Sequence, residues 1–122
     1  MQVFTFDNRR YPPPHITQFV LNTLQYCDLT FITPASINQC RKSLKEGKST
    51  GRLRLIHPRS IAGLKTLCKL FDSDFINLSP NGASFEKSCF HRWLAINNAT
   101  RDLDDEDMVC VLDTDFLIGM PP

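Results

Sequence analysis

Met108-Val109-Cys110-Val111-Leu112-Asp113-Thr114-Asp115 runs five apolar residues straight into two carboxylates with one residue between them. A strand apolar on both faces belongs in the middle of a sheet that helices cover on either side. The acids then mark where such a strand leaves the interior. Two side chains at i and i+2 of an extended chain point the same way, so Asp113 and Asp115 are expected side by side at the strand's carboxyl end. That is the edge at which open α/β sheets bind ligands. Paired carboxylates there suit a hard divalent cation, which takes oxygen ligands and bridges to diphosphate oxygens.

Upstream of that stretch, strand-like and helix-like segments alternate, as an α/β fold requires. Val3-Phe4-Thr5-Phe6 is a short β-rich run followed by a polar loop, Asp7-Asn8-Arg9-Arg10. Pro12-Pro13-Pro14 leads into a helix from His15 to about Tyr26, where Ile16, Phe19, Val20 and Leu24 fall on one face. Leu29-Thr30-Phe31-Ile32-Thr33 is the next strand, closed by Pro34, and the crossover between the two strands is expected to be right-handed. Ser36 is expected to cap a helix carrying Ile37, Cys40 and Leu44 inward, with Gly47 beyond its end. Arg52–Ile56 reads as a short strand, and Ser60 as the cap of a helix with Ile61, Leu64, Leu67, Cys68 and Phe71 on its apolar face. The last helix places Phe85, Cys89, Phe90, Trp93, Leu94 and Ile96 on a broad apolar side and ends at Asn97-Asn98, with Trp93 expected in the core.

At 122 residues and 42% hydrophobic composition the chain has the material for one domain with a packed core. No run of about 18 apolar residues occurs, so no transmembrane segment is expected. The N-terminus lacks the basic and apolar regions of a signal peptide, and a cytoplasmic chain is the expectation. Cys27, Cys40, Cys68, Cys89 and Cys110 form no CxxC pair and mostly sit among apolar neighbours. They read as free, buried thiols and not as zinc ligands. Nine basic residues and one acid lie between Arg41 and Lys69, against seven acids and no base between Asp102 and Asp115. Arg41, Lys42, Lys45 and Lys48 read as one solvated helix side. Net charge of +1, and basic residues without interleaved stacking aromatics, argue against nucleic acid as a partner. No Gly-rich phosphate loop, GxSxG or HExxH is present. Phe71-Asp72-Ser73-Asp74-Phe75 nearly repeats the terminal acidic motif, but its predecessor is helical, so Asp72 and Asp74 are expected to be loop or helix-end residues.

Phe85-Glu86-Lys87-Ser88-Cys89-Phe90-His91-Arg92-Trp93-Leu94, followed after a spacer by Val111-Leu112-Asp113-Thr114-Asp115-Phe116-Leu117-Ile118, resembles the centre of a GT-A glycosyltransferase, the nucleotide-diphospho-sugar transferase superfamily with its DxD motif. The resemblance implies a three-layer α/β/α fold with a mostly parallel sheet, of which residues 1–122 form the N-terminal part as a single nucleotide-sugar-binding domain. It implies a UDP- or GDP-sugar donor and Mn²⁺ or Mg²⁺ held through Asp113 and Asp115, with Asp115 the principal metal ligand. Asp113 would also reach sugar or ribose hydroxyls, Phe6, Asp7 and Asn8 would meet the base, and Arg92 would face the donor or brace the carboxylates. His91 beside Arg92 reads as a surface or packing histidine. The family's catalytic base usually follows the DxD, so it is expected beyond Pro122, no catalytic residue is identified within the chain, and a completing polypeptide or a second copy is an expected partner. The acceptor, whether glycan, lipid or protein, is not specified.

Two other classes use the same residues differently. In a haloacid-dehalogenase-like phosphatase Asp113 would be the nucleophile and Asp115 the acid/base, although that motif normally opens its chain. A small α/β interaction module would carry the aspartates incidentally.

Overall fold

The computed structural model describes residues 1–11, 13–37, 41–42, 44–45, 49–115 and 118–119. The elements run β1 (Gln2–Phe6), α1 (Ile16–Leu24), β2 (Asp28–Ile32), β3 (Leu53–Ile56), a 3₁₀ turn (Pro58–Ser60), α2 (Leu64–Asp74), α3 (Ala83–Ala99) and β4 (Val109–Val111). All four strands are parallel, in the order β3-β2-β1-β4. The α/β class and the parallel sheet expected from the alternation are therefore present.

Period-two alternation sorts every strand between two cores. Val3, Leu29, Phe31, Leu53, Leu55, Cys110 and Leu112 pack with Ile16, Phe19, Val20 and Leu24 of α1. Phe4, Phe6, Ile32, Ile56 and Val111 turn the other way, onto Leu64 of α2 and Leu94, Ala95 and Ile96 of α3. Helices thus cover both faces. The crossover rule explains which helix lies where. From β1 to β3 the chain steps one way across the sheet, with α1 and Ile37 on one face; it then jumps back past β1 to β4, and right-handed connections must use the opposite face for the return. Phe19 meets Phe31 edge-on at 6.5 Å between ring centres, a geometry worth about 0.5–1.5 kcal/mol beyond burial.

Several sequence expectations shift. β4 is not a central strand: β1 and β2 are the inner strands, and β4 lies at an edge of the described sheet with Val109 exposed. Ser60 does not cap α2. Its hydroxyl donates to the His57 carbonyl within the 3₁₀ turn, and α2 starts after Gly63, whose φ of 75° is a left-handed conformation that side chains resist. α3 continues through Asn97-Asn98 to Ala99. Trp93 is not core but 51% exposed. The face of α3 that reaches the sheet is Ala95 and Ile96, where the small Ala95 allows close approach over Phe4, and Trp93 falls on the far side beneath the Arg92 guanidinium. Phe85 and Phe90 are exposed as well. Cys27 is buried, and Cys68, Cys89 and Cys110 are half-buried; all four are free thiols. Half of the expected 36–47 helix, including Cys40 and Gly47, lies outside the described residues, as does Lys48; the described residues 41–42 and 44–45 are helical, and Arg41, Lys42 and Lys45 are exposed.

Gly51 marks a tight approach between the return loop and α1. A Cβ there would come within 2.1 Å of the Cys27 carbonyl oxygen, while its own N–H donates to the Leu24 carbonyl at 2.8 Å.

Candidate functional site

The strand order reverses between β1 and β4. The chain steps outward from β1 to β3 and then returns to lay β4 on the other side of β1, and the carboxyl ends of β1 and β4 are a switch point of the kind where α/β sheets take ligands. A cleft of about 890 Å³ lies there, walled by the segment after β1, the turn after β4, one side of α3 and the end of α2. Phe6, Asp7, Asn8, Arg92, Asp113 and Asp115 all line it. Residues from the two ends of the chain meet because their strands are adjacent in the sheet, not in the sequence.

After β1, Asp7 is nearly buried and tied to Arg9. The Arg9 Nε donates to Oδ1 at 2.9 Å and Nη2 to Oδ2 at 2.5 Å, and the Arg9 backbone N–H adds a third bond to Oδ1 at 2.9 Å. This fork arrangement is among the stronger charge-assisted pairs. The hydrogen bonds that Arg9 donates to the Asp7 carboxylate hold its guanidinium above its ordinary range, against the opposing effect of burial and with the added charges of Asp7 and Asp115. Arg9 also reaches Thr114 at 3.4 Å.

The acidic motif lies past the end of β4, in a turn and not in extended strand. Thr114 points inward and is buried, while Asp113 and Asp115 are both exposed. Tethers fix the turn at both ends. Before it, the Thr5 hydroxyl donates to the Leu112 carbonyl at 2.7 Å. Beyond it, Asn22 of α1 grips Ile118 from both sides, donating to its carbonyl at 3.0 Å and accepting its N–H at 2.6 Å.

Asp113 pairs with Arg92 Nη1. The guanidinium lies over the Trp93 ring at 5.3 Å, and its buried Nε has no partner, so the pair leaves donor capacity unused. Asp115 has neither a hydrogen bond nor an ion pair at contact distance among the described residues. Of the cleft's carboxylates it is the free one. Phe6 is half-buried and Asn8 exposed.

Three further residues line this cleft: Arg9, and Asp72 and His91, which the sequence marks as a loop or helix-end residue and a surface or packing histidine without assigning them to it. Asp72 lies in the last turn of α2 and His91 in the middle of α3, and the His91 Nε2 meets Asp72 Oδ1 at 2.7 Å. The near-repeat of the DxD was visible, but a helix rather than a strand carries Asp72 to the cleft. Arg9 follows Asp7 at the spacing that closes a local fork, which was the signal available for it.

Among the described residues no three His, Cys, Asp or Glu converge as a metal cage. Mg²⁺-type ions need none: they take one or two carboxylates and fill the shell with water and phosphate oxygens. In this turn Asp113 is held by Arg92, and Asp115 is the carboxylate left without a partner among the described residues. Comparison with known proteins found no matching family model, no matching curated protein and no matching solved structure.

Proposed function

We propose that this chain is a nucleotide-diphospho-sugar-binding domain of the GT-A glycosyltransferase type, taking a UDP- or GDP-sugar at the crevice between β1 and β4. The observation that carries the reading is the meeting of Phe6–Arg9 and Asp113–Asp115 in one cleft at the reversal of a β3-β2-β1-β4 parallel sheet. The end of β1 offers an aromatic ring and polar side chains for the base and ribose. Arg9 and Arg92, each already held by a carboxylate, have spare donors for phosphate oxygens. Asp115, with Asp113, would hold Mn²⁺ or Mg²⁺, which supplies charge stabilisation for a departing diphosphate. Sugar transfer to a hydroxyl acceptor follows from that binding mode.

UDP, GDP and their sugars, each with Mn²⁺, are the probes, read by thermal shift and calorimetry. One nucleotide diphosphate should raise the unfolding midpoint, because a ligand that selects the folded state stabilises it. The double variant Asp113→Ala/Asp115→Ala should fold and lose the metal-dependent part of that rise. Equal nucleotide affinity in the double variant removes the assignment.

A further inference from the structure

His91 and Asp72 form the one cleft pair that nucleotide binding leaves without a task. They come from different helices and meet at 2.7 Å with the imidazole 20% exposed. Phe71 stands edge-on to the ring at 6.1 Å and 77°, which restricts its rotation. Phe71 in turn packs against Phe75 and Phe90, so the aromatic cluster between α2 and α3 fixes the dyad from behind. Both residues line the same cleft as Asp113 and Asp115. A carboxylate that accepts the Nε2 proton sets the tautomer: the hydrogen stays on Nε2 and the Nδ1 lone pair is left basic. Nδ1 has no partner among the described residues.

From this geometry we infer that His91 is the proton acceptor for the acceptor substrate's hydroxyl, with Asp72 as its positioning residue, so the base lies inside this chain. The inference rests on the nucleotide-sugar reading of the cleft. In the step, the acceptor oxygen forms a bond to the anomeric carbon as the bond from that carbon to the diphosphate breaks. The electron pair leaves with the diphosphate. The hydroxyl proton passes to His91 Nδ1, while Asp72 holds the Nε2 proton and stabilises the imidazolium that results. Water can replace the acceptor, giving slow hydrolysis of the donor. Among the described residues, Asp72 is the one titratable group paired with the imidazole. The other ionisable groups that line the cleft are Lys87 and Cys89 on α3, His15, Asp115, and the Asp7–Arg9 and Arg92–Asp113 pairs, and Cys68 on α2 feels the charge of Asp72.

The test follows donor hydrolysis across pH in the full chain with Mn²⁺ and whichever of UDP-glucose, UDP-N-acetylglucosamine or GDP-mannose binds, alongside calorimetric donor affinity. His91→Gln should keep donor affinity within about twofold and lower the rate about 10²–10⁴-fold, the usual contribution of a positioned base. Asp72→Asn should lower kcat for hydrolysis about 10-fold or more while the donor KM stays within about twofold, and Asp72→Glu should restore part of the rate. A purely structural contact would leave kcat at saturating donor unchanged. If no donor binds the wild type, the nucleotide-sugar reading itself fails. If a donor binds and is not hydrolysed, or is hydrolysed with the wild-type kcat in both variants, only the role of His91 is overturned.

Discussion

The Cys68 thiol shows how a side chain's chemistry depends on its neighbours. It is half-buried on α2, and burial first, then the nearby charge of Asp72, pushes its pKa up. Both effects favour the neutral thiol in the folded chain. The fold therefore loses stability from this group only as pH rises beyond the ordinary thiol range, and gains nothing at lower pH. Iodoacetamide labelling at pH 8, followed by mass spectrometry, should modify Cys68 more slowly in the native protein than in urea, with Asp72→Asn recovering part of the rate. Native labelling as fast as in the unfolded chain would contradict this. Arg9 belongs to the same scale: a buried carboxylate at Asp7 is tolerated because three donors from one residue converge on it.

Among the elements, the turn after β4 matters most, because β4 itself is only three residues long and paired on one side. Its position depends on side chains of β1, α1 and α3. Asn22 is the tether whose effect separates most cleanly, since among the described residues its side chain bonds only the backbone of Ile118, which does not line the cleft. Asn22→Ala should cost about 1–2 kcal/mol, as expected when two hydrogen bonds to part-buried backbone groups are lost. It should also speed hydrogen exchange at the Ile118 amide while that in β1 and β2 stays slow. Unchanged exchange at Ile118 would show that another contact holds the turn. Much of this level was readable in advance. α1, β1 and β2 fall close to the segments that periodicity indicates, because each buries regularly spaced apolar residues in the two cores; α3 also lies where expected, but of its apolar residues only the Leu94–Ile96 stretch and Ala99 pack on the sheet. The start of α2 was not, since Gly63 supplies a left-handed entry where Ser60 offered the more familiar cap.

For the molecule as a whole, burial is unequal between the two faces of the sheet. The α1 side is closed, with Phe19 and Phe31 almost wholly buried, whereas α2 and α3 leave Leu70, Phe90 and Trp93 exposed. Phe19→Ala should cost about 3–5 kcal/mol in urea unfolding, the usual range for a buried aromatic. Trp93→Ala should cost only about 1 kcal/mol, little more than its contact with the Arg92 cation. Comparable losses at the two positions would mean that Trp93 is covered in solution. Sequence alone determined the alternation of strands and helices, because hydrophobic period is a local property that each segment carries with it. It also marked Asp113 and Asp115 as acids at a strand's end. Tertiary structure decided the neighbour order, and with it that β4 lies beside β1 and not at the centre. It likewise decided that the ends of the chain share a cleft, and that His91 meets Asp72. Those pairings depend on the direction of each crossover and on helix-to-helix packing, which bring together side chains that no local pattern relates.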